Sequence, residues 1–113
     1  VAVSGNGTSR VLQLSPGADV TLNALTLTRG AAANGGGILV NSNAVLTVNR
    51  TTSVTNTAIG NGGGIYCQGG TLNLNNCTLA GNSAGTSSGS GGGIILSYST
   101  VKVINSTITA NAV

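Results

Sequence analysis

The motif Gly-Gly-Gly-Ile occurs three times in this chain, at Gly35–Ile38, Gly62–Ile65 and Gly91–Ile94. Fewer than thirty residues separate successive copies, and similar short apolar pairs follow each of them. A repeat of this length with strand-like alternation inside each unit predicts a solenoid, in which every repeat forms one coil. Because a stack of coils has no ready-made active site, function must lie in the side chains that its faces display.

Apolar residues separated by one position recur at three places in each repeat. Both members of such a pair point to the same side of a strand, so we expect them to face inward. The first pairs are Leu12/Leu14, Ile38/Val40, Ile65/Cys67 and Ile94/Leu96; the second are Val20/Leu22, Leu46/Val48, Leu72/Leu74 and Val101/Val103; the third are Leu25/Leu27, Thr52/Val54, Cys77/Leu79 and Ser106/Ile108. The pattern predicts an all-β parallel β-helix with three short strands per coil.

The repeats fill one β-solenoid domain, residues 1–113, with about four coils of about 26–29 residues each. Their approximate bounds are 8–34, 35–61, 62–90 and 91–113. The Ser- and Gly-rich segment 83–90 falls where the third coil is longer than its neighbours, which indicates a turn insertion. No polar cap is evident at either end, so we expect further coils to complete the stack.

The chain has few groups that could perform chemistry. It contains no histidine and no glutamate, and its single carboxylate side chain is Asp19. Glycoside hydrolysis uses two carboxylates, and a serine nucleophile needs a base. Zinc and calcium sites need more ligands than one carboxylate and two cysteines supply. We therefore predict no enzyme activity, no catalytic residue, no metal site and no cofactor.

The distribution of the positively charged side chains argues against a nucleic-acid partner. They are scattered along the chain rather than clustered, at Arg10, Arg29, Arg50 and Lys102. A nucleic-acid surface needs a basic stripe with stacking groups, and the chain has two tyrosines but no other aromatic residue. No apolar run is long enough to insert in a membrane. Sparse charge with many amides and hydroxyls favours an extracellular or cell-surface location.

The segments 76–82, Asn-Cys-Thr-Leu-Ala-Gly-Asn, and 105–111, Asn-Ser-Thr-Ile-Thr-Ala-Asn, follow Gly-Gly-Gly-Ile motifs. This combination resembles the repeats of right-handed parallel β-helix proteins, the pectate-lyase-like superfold. Within that class it is similar to polymorphic outer-membrane protein repeats, in which a Gly-Gly-Ala-Ile-like motif accompanies Phe-x-x-Asn. Here the second motif reads Leu79-x-x-Asn82 and Ile108-x-x-Asn111. The resemblance implies a surface-displayed structural or adhesin-like role.

Asparagine recurs just after the third predicted strand, at Asn56, Asn82 and Asn111. Such residues can stack in a ladder whose amides bond coil to coil, and this structural role is the one we expect. Four Asn-x-Ser/Thr sequons offer glycosylation sites in a suitable host. They begin at Asn6, Asn49, Asn76 and Asn105, and the last three are expected at one turn, between the second and third strands.

Cys67 and Cys77 occupy inward positions on two strands of one coil. They are either two small buried thiols or a disulfide across the coil, and the sequence leaves both interpretations open.

Two outward columns distinguish the remaining functions. The expected outward pairs of the third strand are Thr26/Thr28, Ser53/Thr55, Thr78/Ala80 and Thr107/Thr109, and this Thr-x-Thr array resembles the ice-binding face of β-solenoid antifreeze proteins. Threonine also simply suits exposed strands. The outward column of the first strand contains Leu39, Tyr66 and Ile95, and such an apolar stripe predicts a lateral contact.

The strands at both ends of the predicted stack have unpaired edges. Each coil resembles the next, so one end of the chain should complement the other, and a head-to-tail contact of this kind produces a fibre. The expected function is a non-catalytic structural solenoid whose partner is a second copy or the adjoining coils of a longer parent chain. A surface adhesin or passenger-type binding module is the alternative, and an ice-binding solenoid is a third.

Overall fold

The computed structural model describes residues 1–85 and 90–113. All regular structure in these residues is β-strand, and the strands are short. In chain order they are β1 (Ala2–Ser4), β2 (Leu12–Leu14), β3 (Asp19–Asn23), β4 (Thr26–Thr28), β5 (Ala31–Ala32), β6 (Ile38–Val40), β7 (Val45–Asn49), β8 (Thr52–Val54), β9 (Thr57–Ala58), β10 (Ile65–Gln68), β11 (Thr71–Asn75), β12 (Thr78–Ala80), β13 (Ile94–Ser97), β14 (Thr100–Ile104) and β15 (Thr107–Thr109).

The strands form three parallel sheets that run along the stack. Sheet A has the order β1-β4-β8-β12-β15, sheet B the order β2-β6-β10-β13, and sheet C the order β3-β7-β11-β14. Paired residues in successive complete coils lie 26, 27 or 29 positions apart, as in Leu46 and Leu72, Ile38 and Ile65, and Leu72 and Val101. The predicted parallel β-solenoid of about four coils is therefore confirmed.

The register confirms the first two sets of inward pairs. Ile38 pairs with Ile65, which pairs with Ile94, and Leu46 pairs with Leu72, which pairs with Val101. Burial alternates along β7 and β11, as expected for strands with one face in a core. The core consists of these inward columns, and its centre lies in the second and third coils.

The third inward pair is wrong by one residue in the second coil. Leu27 pairs with Ser53, and Ser53 pairs with Leu79, so Thr51 and Ser53 face inward while Thr52 and Val54 face outward. Both inward hydroxyls are satisfied: the Thr51 hydroxyl donates to Asn49 O at 3.0 Å, and the Ser53 hydroxyl accepts from Asn56 Nδ2 at 3.0 Å. Hydrogen-bonded hydroxyls can be buried, which is why the apolar pattern misplaced this strand.

Thr55 lies at the turn that follows β8, where the chain leaves sheet A. A residue with left-handed φ ends the strand of sheet A in each coil: Arg29, Thr55, Gly81 and Ala110 have φ of 54°, 55°, 64° and 53°. A second such column, Ala24, Arg50, Asn76 and Asn105, turns the chain from sheet C to sheet A. Thr55 is thus a corner residue, not a member of the flat outer face of β8.

The structure has two elements beyond the predicted three strands per coil. A fourth short segment follows the corner after sheet A, where β5 pairs with β9 and single bridges continue from Thr57 to Ser83 and from Ser83 to Ala112. In addition, β1 pairs with β4 and extends sheet A by one strand beyond the first complete coil. The upper end of the stack, where β1 lies, is therefore stepped.

Part of the predicted turn insertion at 83–90 lies outside the described residues, at positions 86–89.

Candidate functional surfaces

The asparagine ladder forms as expected and is the main polar feature of the interior. Asn56 and Asn82 are fully buried, and Asn111 is half-buried. The Asn82 side-chain oxygen accepts from the Asn56 backbone N–H at 3.0 Å and from Asn56 Nδ2 at 3.1 Å. Asn111 repeats this arrangement on Asn82, at 2.9 and 3.0 Å. The ladder therefore joins coils through charge-free hydrogen bonds rather than forming a ligand site.

The ladder amides also satisfy strand carbonyls. Nδ2 of Asn82 donates to Ser53 O at 3.0 Å, and Nδ2 of Asn111 donates to Leu79 O at 3.0 Å. In the first coil Gly30 occupies the ladder position, and its backbone N–H donates to Asn56 Oδ1 at 2.8 Å. Because every buried donor and acceptor in the ladder is paired, the polar column is stable inside an apolar core.

The glycine triplets fit against this ladder. The first glycine of each triplet has positive φ, and a Cβ on the third would contact the ladder amide: at Gly64 it would lie 3.1 Å from Asn82 Nδ2. On the second, at Gly63, it would lie 2.2 Å from Ser83 O, which is closer than any real contact. Gly-Gly-Gly is therefore required by close approach of backbones and not by a phosphate or other anion.

A second, surface ladder was not predicted. Nδ2 of Asn49 donates to Asn23 Oδ1 at 2.9 Å, and Nδ2 of Asn75 donates to Asn49 Oδ1 at 2.9 Å. These three residues end β3, β7 and β11 in register. The signal in the sequence was present, since asparagine stands just before the corner in three successive repeats, but it overlapped the sequon pattern.

The sequon asparagines do not share one position. Asn76 and Asn105 are exposed corner residues with left-handed φ, whereas Asn49 lies one position earlier in the coil and has its amide in the surface ladder. Asn6 is exposed in the loop after β1. The expectation of a single aligned row is therefore wrong for Asn49, because its structural equivalent in the third coil is Asn75.

Both cysteines are buried and are free thiols in the structure. Sγ of Cys77 donates to Val48 O at 3.2 Å and to Asn75 O at 3.3 Å, so this thiol is directed at backbone carbonyls. Cys67 lies in the inward column of sheet B between Val40 and Leu96. Their environment is that of small core side chains.

The outer face of sheet A carries one unbroken threonine column. With the corrected register it contains Thr26, Thr52, Thr78 and Thr107, which pair in that order. The neighbouring column begins and ends with Thr28 and Thr109 but has Val54 and Ala80 between them. Thr55 lies beside this face at the corner, where its hydroxyl is 2.8 Å from that of Thr28.

The apolar stripe on sheet B has the predicted register. Leu39 pairs with Tyr66, Tyr66 pairs with Ile95, and all three are half-buried. Gln13 ends the column at the first coil. There Arg10 donates to Gln13 Oε1 at 2.8 Å and to the carbonyls of Gly35 and Asn34 at 2.9 and 2.7 Å. The bonds to Gly35 and Asn34 hold the guanidinium against the second coil, and its partial burial there lowers the pKa of Arg10.

The lower end of the stack, formed by β13, β14 and β15, exposes its inward side chains. Leu96, Val101, Val103 and Ile108 are 38%, 37%, 45% and 46% exposed, whereas their partners in the third coil are at most 2% exposed. In the upper coils, four consecutive N–H groups of each Gly-Gly-Gly-Ile motif donate to the next coil, as from Gly62, Gly63, Gly64 and Ile65. Within residues 1–85 and 90–113, the same four N–H groups of Gly91–Ile94 donate to no backbone acceptor.

No group of three His, Cys, Asp or Glu side chains comes together within residues 1–85 and 90–113. A groove of about 420 Å³ lies along the fourth short segment, lined by Thr57, Ala58, Ile59, Ser83, Ala84, Gly85, Ala112 and Val113. Hydroxyl and aliphatic side chains of this kind offer no acid or base. The described residues include no helix that is long and apolar enough to cross a membrane.

No protein-family model, curated protein or solved structure matches this chain.

Proposed function

We propose that this chain is a building block of a non-catalytic structural β-solenoid that continues end to end through its open strand edges. The observation that carries the proposal is the exposed lower end. The inward side chains of β11 in the third coil are buried, whereas their partners on β14 in the fourth coil are exposed. Exposed apolar side chains beside unpaired parallel edges recruit further strands. A coil that continues the same register buries both the side chains and the backbone donors.

The occupant of this end is either a second copy, which gives a filament, or an adjoining coil of a longer surface protein. An extracellular or cell-surface location fits the sparse charge and the many amides and hydroxyls. A polymorphic outer-membrane-like adhesin or passenger module would use the same stacking and add ligand contacts on the outer faces. The resemblance of the Gly-Gly-Gly-Ile and Leu-x-x-Asn motifs supports that alternative.

An inward-pointing charge at the lower end tests the proposal. Val103→Lys places an ammonium group on the exposed end of the core, in the way that natural proteins protect sheet edges. We expect the variant to remain monomeric at concentrations where the unmodified chain associates, as measured by sedimentation velocity. Thr109→Lys is the matched control, because it adds the same charge on the outer face of β15. Equal association of both variants would contradict stacking at this end.

The threonine column favours ice binding as a second candidate function. Four threonines in register on one flat parallel sheet present hydroxyl and methyl groups at the regular spacing of the strands, about 4.8 Å. Thermal hysteresis at millimolar protein that is lost in Thr52→Lys would support this function. Absence of thermal hysteresis in the unmodified chain would exclude it.

A further inference from the structure

The two ends of the stack are not complementary as rigid surfaces. At the lower end β13, β14 and β15 all belong to the fourth coil, so that end is flush. At the upper end β2 and β3 are the last strands of their sheets, but sheet A continues with β1. If a second copy placed its β2 beside β13 and its β3 beside β14, its β1 would occupy the same place as β15. Rigid copies therefore cannot join through all three sheets.

We propose that two copies of this chain join by strand exchange, in which β15 of one copy displaces β1 of the next and pairs with that copy's β4. This inference rests on the proposed end-to-end assembly and specifies its route. The exchanged register places Ile108 over Leu27, where Val3 lies in the single chain. Thr107 and Thr109 then continue the outer columns of Thr26 and Thr28.

β1 is a weakly held strand at the edge of sheet A. It has three residues, all exposed, and it pairs with one strand only. Val3 is 39% exposed although it faces inward over Leu27. Segments with few buried apolar contacts open at a small free-energy cost compared with core strands. Replacing Val3 by the larger Ile108 buries more apolar surface at the same position.

The remaining strands of the two ends then match. Continuing the register puts Val101 beside Val20, Val103 beside Leu22, and Leu96 beside Leu14. Val20 and Leu22 are half-buried at the upper end, and both partners on β14 are exposed at the lower end. Joining the ends thus covers the side chains of sheet C that each end leaves partly open, whereas Leu14 is already buried in the single chain.

Charge complementarity identifies the occupant as a second copy. Lys102 and Asp19 are the chain's lysine and its single carboxylate side chain, and they lie on the outer faces of β14 and β3, at opposite ends. In the joined register Thr100 lies beside Asp19, so Lys102 is its diagonal neighbour. Strand geometry puts the two Cα atoms about 8 Å apart, within reach of a lysine side chain. The two side chains meet only between copies.

A reversible lock on β1 tests the exchange. Ser4 and Thr28 are Cα partners on the outer face of adjacent strands, so Ser4→Cys with Thr28→Cys brings two thiols to disulfide distance. Cys67 and Cys77 are buried and do not compete in the folded chain. We expect the reduced variant to associate like the unmodified chain, and the oxidised variant to remain monomeric in sedimentation velocity at the same concentration. The reduced sample is the matched control.

Two results would overturn different parts of this account. Association of the oxidised variant as readily as the reduced one would exclude exchange at β1 and leave end-to-end assembly standing. Monomers in the oxidised, reduced and unmodified samples alike, at the highest concentration reached, would exclude both the exchange and the proposed assembly.

A second variant loosens β1 instead of locking it. Val3→Asp removes the inward apolar contact with Leu27, and Val1→Asp adds the same charge at a residue that is 93% exposed. The exchange predicts faster association for Val3→Asp than for Val1→Asp, followed by light scattering. Equal or slower association of Val3→Asp would contradict displacement of β1.

Charge reversal tests the identity of the partner. Asp19→Lys alone places two cations at the junction and should weaken association by up to about fivefold, the range expected for one exposed pair. The double variant D19K/K102D restores an opposite pair and should regain the affinity of the unmodified chain. Failure of the double variant to recover association would contradict the register between copies.

Discussion

The third and fourth coils carry similar sequences but differ in burial. Leu72, Leu74 and Leu79 are at most 2% exposed, while Val101, Val103 and Ile108, their partners in the next coil, are 37%, 45% and 46% exposed. The inward pattern of the side chains is the same in both coils. In these two coils, the inward side chains are therefore buried only when a coil lies on each side of them. This agrees with repeat proteins, in which stability comes largely from the interfaces between neighbouring repeats.

The glycine triplets should show the largest difference between the two coils. In the third coil a Cβ on Gly63 would lie 2.2 Å from Ser83 O and 2.6 Å from Gly92 O, so it is clamped by two segments. On Gly92 the three nearest atoms, at 2.2–2.7 Å, all belong to Ala112, which is exposed at the open end of the stack and can shift. We expect Gly63→Ala to lower the free energy of unfolding by about 3 kcal/mol or more and Gly92→Ala by about 1 kcal/mol, measured by urea unfolding. Equal costs would contradict the clamp.

The asparagine ladder offers the next comparison. Asn82→Ala removes the acceptor of the Asn56 N–H and one donor to the Ser53 carbonyl, both inside the core. Unpaired buried groups cost about 1–3 kcal/mol each, so we expect a loss of about 2–3 kcal/mol. Asn111→Ala should cost about 1 kcal/mol, because water reaches the half-buried end of the ladder. A larger loss for Asn111→Ala in urea unfolding would argue that the fourth coil is already covered.

One inward column has valine both in a covered coil and in the exposed fourth coil, so the same substitution can be compared at the two positions. Val48 and Val103 lie in register two coils apart, and they are 3% and 45% exposed. Val48→Ala should cost about 2 kcal/mol and Val103→Ala less than about 1 kcal/mol, since the second removes less buried surface. The measurement is again urea unfolding, at a concentration where the chain is monomeric. The difference should shrink at higher concentration if stacking buries Val103.

How much of this arrangement the sequence predicts depends on the type of residue. Aliphatic inward columns such as Leu46 and Leu72 were predicted correctly, because their period of two and the glycine triplets fix the register. The inward residues of β8 in sheet A were misplaced by one position. Ser53 is buried with a hydrogen bond to Asn56, whereas Val54 faces outward and is only half-buried. Hydrophobic patterns do not encode such polar compensation.

The candidate surfaces follow the same rule. The buried ladder and the apolar stripe were predicted from recurring residue types in corresponding turns and strands. β1 was not predicted, because Ala-Val-Ser is too short to carry a period and has its partner, β4, more than twenty residues away in the chain. The step that it creates at the upper end is the basis of the proposed exchange, and only three-dimensional pairing reveals it.

The apolar stripe should have the smallest effect on stability. Leu39 and Ile95 face outward and are half-buried, so Leu39→Ser with Ile95→Ser should change the free energy of unfolding by about 1 kcal/mol or less. Lateral association, followed as filament bundling by electron microscopy, should nevertheless decrease. Thr47→Ser with Thr71→Ser is a matched control on another outward face. Unchanged bundling in the stripe variant would show that this surface makes no lateral contact.

Cryo-electron microscopy of the unmodified 113-residue chain at high concentration tests the central claim most directly. End-to-end assembly predicts filaments with an axial spacing near 4.8 Å, the distance between paired strands, running through the junctions between copies. The fourth coil should then be as fully covered as the third. A monodisperse population of single solenoids, with no larger species at millimolar concentration, would contradict the account.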